Sequence, residues 1–481
     1  MKAAKNEAPN SASNNLTWLV MGLSAIFAAS LTLRFWGLGR FNALVFDEVY
    51  YAKFANNYLT GTSFFNAHPP LSQYIIAIGI WLGSLMPIGQ DTINELTGSL
   101  RSTFSYRWIN ALTGSFIPLV VAALAYQLSP RWSYALVAGL FAAADGLFLV
   151  ESRYALNNVY LVILGLLGHL CLLLALKSEG RWRSIQLALS GIFFGSTAAI
   201  KWNGLWFLLG IYLIWAIAQI VEPKIKGEDQ PQTIFANLRQ INLWQFLANF
   251  ALLPVVTYSL LWIPHLIMNP EPNFWQSQLD ILSFHERIGS STDVHPYCST
   301  WYSWLIMWRP VAYFYDTARS LADPVPQTPP LPPGEGGILY AVHAMGNPFL
   351  WWLSTAAILL LILYVLRLVW VWLISPGRGW TAGEWLVVYV VSSWAANLLP
   401  WTRVSRCIFL YHYMGSAVFA SLGLAWVVDR WLRSGATNQR IAGITLLILV
   451  VAAFVYWMPI YLGLPLSAGG YQARMWLPSW I

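Results

Sequence analysis

Eleven apolar segments, 16 to 26 residues long, run through the chain at about 16–33, 108–128, 133–150, 157–176, 185–200, 204–221, 243–267, 349–374, 383–399, 408–429 and 441–461. A helix needs roughly 20 apolar residues to cross a bilayer core, and helices satisfy their own backbone polar groups there. Each segment is bounded by Arg, Lys, Pro or Gly, and only 10% of the 481 residues are charged while 57% are hydrophobic. The chain is therefore read as an all-α integral membrane protein with about eleven transmembrane helices.

Residues 1–15 are polar and read as a disordered cytoplasmic tail. The run at 16–33 is too long for the core of a signal peptide and reads as a retained first span. Residues 16–481 then form one polytopic domain, with no internal repeat and no room for a soluble second domain. With a cytoplasmic N-terminus, the inner loops carry Arg131; Lys177, Arg181 and Arg183; Lys224, Lys226 and Arg239; Arg378; and Arg430, Arg433 and Arg440. That distribution obeys the positive-inside rule. The same count places two long loops, about 37–105 and 268–347, and the C-terminus on the outer face. The first contains amphipathic pieces such as Leu71 to Leu85, and the second a Pro-rich connector from Pro324 to Pro333.

The net charge of +7 is not gathered into any basic module. It fits membrane orientation and contact with lipid head groups, and excludes a nucleic-acid partner. The three cysteines suggest neither a metal site nor a disulfide framework; a Cys298–Cys407 bridge is conceivable, but spacing alone does not require it.

Against this scarcity of charge, the first outer loop contains Asp47, Glu48, Lys53 and His68. A partly buried carboxylate there can act as general base towards a hydroxyl. Neighbouring helical residues point about 100° apart, so only one of Asp47 and Glu48 should face a substrate atom, the other supporting it. The pair also fits a solvated helix cap. Pro69 and Pro70 stiffen the segment behind His68, which suits substrate positioning. Basic residues on the outer face, where few are expected, include Arg101, Arg107, Arg153, Lys201, Arg309, Arg403 and Arg406. Singly they fit snorkelling to head groups; together with the carboxylates they point to a phosphorylated lipid. His295-Pro296-Tyr297 precedes Trp301, Trp304 and Trp308 at helical spacing, a stripe that suits packing or stacking on a sugar ring. No Walker loop, dinucleotide fingerprint, HExxH or Asp-x-Asp motif occurs, which disfavours a nucleotide-sugar donor.

Phe46-Asp47-Glu48, Phe64-Phe65-Asn66-Ala67-His68-Pro69-Pro70-Leu71, Arg107 with Gly114, Glu151-Ser152-Arg153, Lys201-Trp202-Asn203-Gly204, His295-Pro296-Tyr297, Gly346-Asn347-Pro348, Leu399-Pro400-Trp401, Tyr411-His412-Tyr413 and Trp476-Leu477-Pro478-Ser479-Trp480 follow one another in order. The series resembles the protein O-mannosyltransferases of bacterial type, members of the C superfamily of integral-membrane glycosyltransferases. The departures are Asn66 and Asn157-Asn158, where Asp is common, and Gln73 in place of Lys.

The resemblance implies that superfamily's architecture, with outer-face loop helices, in a bacterial plasma membrane and with the active site on the periplasmic side. It implies inverting transfer of a sugar, mannose in the family, from a polyprenyl-phosphate donor to Ser or Thr hydroxyls of a polypeptide emerging from the secretion machinery. Asp47 would be the base and Glu48 its support. Arg107, Arg153, Lys201, Arg403 and Arg406 would bind the donor phosphate, and Lys53, His68, Pro69, Pro70, His295 and Trp304 would position substrate. No cofactor beyond the lipid-linked sugar is expected, and metal dependence is left open. Two other readings remain: the same fold moving a different lipid-linked sugar to a lipid or polysaccharide, and a transporter. The clustering of charge at one face rather than the midplane speaks against the second.

Overall fold

The computed structural model describes residues 9–221, 233–289, 294–332, 334–375 and 379–480. Lys224, Lys226 and Arg378 lie outside the described residues. The chain order is α1 (Pro9–Phe35), α2 (Glu48–Thr60), α3 (Leu71–Ser84), α4 (Thr103–Leu128), α5 (Trp132–Ala143), α6 (Gly146–Arg153), α7 (Asn158–Ala175), α8 (Gly180–Ala198), α9 (Leu205–Val221), α10 (Leu243–Leu247), α11 (Leu253–Met268), α12 (Phe274–Arg287), α13 (Pro348–Ile374), α14 (Ala382–Leu398), α15 (Met414–Leu432), α16 (Thr437–Leu462) and α17 (Ala468–Gln472). α1 begins at Pro9, so the last part of the expected tail continues the first helix.

Each of the eleven apolar segments is helical, but they do not qualify equally as spans. Among the described residues, seven helical stretches are long and apolar enough to cross a membrane, or eight if α5 and α6 count as one. The expected eleven is not reached by that measure. α14 has 17 residues, α8 starts with Arg181 and Arg183, and α15 ends with Asp429 and Arg430, so each offers a short apolar core. Between α5 and α6 the direction changes by 57°. Asp145 causes this break: its carboxylate accepts from the amides of Leu147 and Phe148, starting a new helix inside an apolar run.

The loop after α1 holds α2 and α3, the expected outer-face helices, with the short strands β1 (Ile93–Asn94) and β2 (Arg101–Ser102) pairing antiparallel before α4. The second long loop holds α12 and a hairpin of β3 (Val311–Ala318) and β4 (Ile338–Ala344), whose register pairs Val311 with Ala344 and Ala318 with Ile338. The Pro-rich stretch is the connector of this hairpin. Cys298 and Cys407 form a disulfide that ties the second loop to the segment before α15, across 109 residues of sequence. On the opposite ends of the helices, Asp429 pairs with Arg131 and Arg433 at 3.4 and 3.0 Å.

One buried ion pair fastens the first loop to the bundle. Glu48 and Arg107 are both fully buried, and the guanidinium donates Nε to Oε1 at 2.9 Å and Nη2 to Oε2 at 2.7 Å. The remaining donors of Arg107 go to the carbonyls of Leu38, Phe41 and Ala43 at 2.7–3.0 Å. Glu48 also accepts from the amides of Val45 and Ala155, each at 2.8 Å. Five guanidinium donors therefore meet five acceptors, and both carboxylate oxygens are shared. Arg153 is also turned to the protein, its Nη1 donating to the carbonyls of Leu33, Arg34 and Trp36 and its Nη2 to that of Gly37 at the C-terminus of α1, while its Nε has no partner among the described residues.

These contacts bear on three expectations. Arg107 and Arg153 were expected at a donor phosphate, but their guanidinium NH2 groups donate to the protein's own oxygens. Glu48 was expected as the support of Asp47, and its carboxylate, saturated and fully buried, can give that support only through the fold and not by touching substrate. Replacing Arg107 with Ala should leave that carboxylate buried without its cation and cost about 3–5 kcal/mol. A lowered thermal unfolding midpoint of the solubilised protein checks this; an unchanged midpoint would show that the pair does not hold the loop.

Candidate active site

Asp47 stands at the N-terminus of α2, yet its side chain does not cap the helix. The residue before it, Phe46, adopts φ 53°, a left-handed conformation costly for a bulky side chain. Its ring is held in place by stacking on Tyr313 at 4.1 Å and by edge contacts with Tyr411 and His295 at 6.1 and 6.5 Å. Aromatic packing thus compensates a backbone turn that sends Glu48 inward and leaves Asp47 free. Asp47 is half-buried. Burial raises its carboxyl to about 6, an effect opposed by the positive charge of Lys201.

Lys201 lies in the turn between α8 and α9 and is 5% exposed. Burial lowers its ammonium to about 8, against the pull of Asp47 and Glu151. Nζ donates to Asn158 Oδ1 at 2.9 Å and sits 5.5 Å from the centre of the Tyr411 ring. Asn158 Nδ2 in turn donates to Glu151 Oε2 at 3.1 Å, while Tyr313 donates its hydroxyl to Glu151 Oε1. An amide at position 158 can accept from the lysine and donate to the glutamate at once. A carboxylate there would only confront Glu151 with a like charge.

Lys201, Arg403 and Arg406 line a cavity of about 320 Å³ whose other walls include His68, Pro69, His285 and His412. Burial, reinforced by the neighbouring cations, lowers all three histidines, His285 to about 4. They remain neutral at physiological pH, able to hydrogen-bond without adding charge. One buried lysine and two arginines outnumber the one carboxylate of the lining, Glu286, so the cavity is net positive, a setting for an anion such as phosphate. Trp202, Asn203 and Trp206 also line a second cavity of about 730 Å³, walled by α9, α11 and α12 side chains including Leu205, Leu208, Pro254, Val255 and Phe274, and by Phe250 from the turn before α11. A cationic chamber opening into an apolar groove suits a ligand with an anionic head and a long apolar tail.

Asp47 is not among the residues lining either cavity, and other expected residues also fall outside the lining. Lys53 is exposed on α2. Pro70 is buried at the N-terminus of α3. His295 supports Phe46 and packs edge-on to Phe409 at 5.0 Å. Trp304 is fully buried behind the wall, stacked on His412 at 6.1 Å and donating Nε1 to Ser299 Oγ at 2.8 Å. His285, His412 and Trp206 were not expected as lining. His412 lay within a noted aromatic motif, whereas nothing in the spacing of α12 marked His285. The Cys298–Cys407 bridge, undecided from sequence, stands next to Arg406, which donates Nη1 to the Cys407 carbonyl at 3.0 Å. Among the described residues, no three His, Cys, Asp or Glu side chains could together hold a metal ion.

Comparison with known proteins agrees with this geometry. The profile of the family described as dolichyl-phosphate-mannose-protein mannosyltransferase matches residues 24–267, and that described as the C-terminal four TMM region of protein-O-mannosyltransferase matches residues 270–480. The polyprenol-phosphate-mannose–protein mannosyltransferase of Corynebacterium glutamicum is 24% identical over 96% of this chain and 93% of its own. Its namesake from Mycolicibacterium smegmatis is 24% identical over 91% and 87%. Among solved structures, the S. cerevisiae protein O-mannosyltransferase Pmt1–Pmt2 complex bound to the sugar donor superposes with a TM-score of 0.76 at 14% identity, covering 96% of this chain and 92% of that one. ArnT from Cupriavidus metallidurans bound to undecaprenyl phosphate gives 0.51 at 14% identity, covering 93% and 76%. The chain is a multi-pass membrane protein with the fold of the C-superfamily glycosyltransferases, and it belongs to the dolichyl-phosphate-mannose-protein mannosyltransferase family.

Proposed function

We propose that this protein transfers a mannosyl residue from polyprenyl-phosphate mannose to Ser or Thr hydroxyls of polypeptides. The observation that carries this reading is the cationic cavity of Lys201, Arg403 and Arg406, which shares Trp202, Asn203 and Trp206 with an apolar groove; Asp47, uncapped and electrostatically coupled to Lys201, stands behind that lining. The groove takes the polyprenyl chain, and Lys201, Arg403 and Arg406 take the phosphate. The acceptor oxygen attacks the anomeric carbon from the face opposite the phosphate while Asp47 removes its proton. The bond from that carbon to the phosphate oxygen breaks, its electron pair leaves with polyprenyl phosphate, and the configuration inverts. The departing group gains negative charge, which the fixed cations stabilise. The scheme therefore uses no divalent metal.

The reaction is placed on the outer face of a bacterial plasma membrane, on polypeptides emerging from the secretion machinery. Two features support that orientation. Arg131, Arg430, Arg433 and Arg440 cluster at the helix ends away from the site, as the positive-inside rule asks of a cytoplasmic face. The Cys298–Cys407 bridge lies on the site's side, and disulfides persist in oxidising compartments.

Purified protein given polyprenyl-phosphate mannose, or other polyprenyl-phosphate sugars, and a Thr-containing peptide tests the reading by mass spectrometry; transfer of another sugar but not mannose would overturn it. Asp47→Asn should lower turnover by about 100-fold or more while the protein stays folded, since a positioned base contributes roughly that much. Near-normal turnover would remove Asp47 from this role. Because the base must be ionised, kcat/KM should fall about tenfold per unit as pH drops below about 6, the value to which burial raises Asp47. A profile flat down to pH 4.5 would contradict the assignment. Arg406→Ala should raise the KM for the lipid donor by roughly 10- to 100-fold, the loss expected of one charge-assisted phosphate contact. An unchanged donor KM would exclude Arg406 from the phosphate site.

A further inference from the structure

A third cavity, of about 330 Å³, adjoins the cationic one and has the opposite character. Ile281 of α12 lines both, and the wall between them is the segment 66–68, with Asn66 on one side and His68 on the other. That wall is at most about 7 Å of extended chain. Phe64, Phe65 and Trp262 give the cavity aromatic surface, and its ionisable members are His265, Glu271 and Asp280, with no Lys or Arg.

Asn66 is the informative residue. It is 5% exposed, its Oδ1 accepts from the His68 amide at 3.2 Å, and its Nδ2 has no partner among the described residues. A buried amide donor left unmade is costly, so it awaits a carbonyl or hydroxyl oxygen. Asp280 is half-buried and receives one hydrogen bond, from Gln276 Nε2 to Oδ1 at 2.7 Å, while Glu271 is exposed at the rim. One buried donor, two carboxylates and aromatic walls match a stretch of polypeptide: a backbone carbonyl for the donor, a basic side chain for the carboxylates. The acidic lining repels the phosphate that its neighbour attracts, which keeps the lipid donor out.

We propose that this cavity is an acceptor subsite, binding the polypeptide beside the modified Ser or Thr through a backbone carbonyl on Asn66 and a Lys or Arg side chain between Glu271 and Asp280. The inference rests on the transfer reaction proposed above and adds a preference: acceptors with a basic residue near the hydroxyl are favoured over acidic ones.

The test uses the full-length protein in detergent with polyprenyl-phosphate mannose and peptides of one Thr flanked by Lys, Gln or Glu. The Lys peptides should show a KM about 3- to 10-fold below that of the Glu peptides, the scale of partly exposed charge pairs. In the doubly substituted Glu271→Gln, Asp280→Asn protein the KM values should converge while the donor KM stays the same. Asn66→Ala should raise the KM of all three peptides. Direct binding of the same peptides to the Asp47→Asn variant should reproduce the order without turnover. Equal affinities in the wild type, a charge preference that survives the double substitution, or displacement of the peptides by free mannose would each overturn the subsite. Transfer to peptides without charge discrimination counts against the subsite alone; failure of transfer with peptide binding in the expected order counts against the reaction and supports the subsite.

Discussion

The buried pair of Glu48 and Arg107 is the constraint on which the outer half of the molecule depends. A carboxylate and a guanidinium placed in a low-dielectric interior are tolerable only if nearly every donor and acceptor is satisfied. Here that requirement recruits the carbonyls of Leu38, Phe41 and Ala43 and the amides of Val45 and Ala155. The segment from α1 to α2 has no other regular structure to shape it, so the hydrogen-bond demands of Arg107 and, at Trp36 and Gly37, of Arg153 fold it. Asp47 inherits its place from this arrangement. With Glu48 fixed inward and Phe46 held in a left-handed turn by three aromatic rings, the carboxylate between them has one direction left.

The charges around Asp47 are balanced rather than merely collected. Lys201 lies between the influence of Asp47 and Glu151, and Asn158 joins it to Glu151 without adding a third carboxylate. Burial raises the carboxyl of Asp47 and lowers the ammonium of Lys201, so each is brought closer to neutral pH than its free counterpart. Three neutral histidines complete the wall and leave the charge of the cavity to Lys201, Arg403 and Arg406 against the single carboxylate of Glu286.

Local properties of the chain were legible in its sequence. Apolar length marked each helical segment, and the oddity of Asp47-Glu48 in a charge-poor chain marked the loop that matters. What sequence could not reveal is who satisfies whom. Arg107 looks like any other outer-face cation until the carbonyls 64 to 69 residues away close around it. Arg153 meets the end of α1 some 120 residues earlier. The disulfide joins residues 109 apart, and neither spacing nor composition announces the contact. Asp145 shows the converse: a single local cap outweighed an apolar pattern that reads as one continuous helix.

α12 is the element whose importance was least visible, and its helical period explains how it serves three chambers. Phe274, Trp275 and Gln278 border the apolar groove; Ser277, Asp280 and Ile281 border the acidic cavity; Ile281, Leu282, His285 and Glu286 border the cationic one. Residues three and four apart share a face while neighbours diverge by about 100°, so one helix of 14 residues can present three kinds of surface in three directions. Read as a sequence, that mixture looks like an undistinguished amphipathic stretch. Packed beside the rigid wall of His68 and Pro69, it borders an apolar, a cationic and an acidic chamber at once, which suits the separation by chemistry of the apolar tail, phosphate and acceptor chain proposed above.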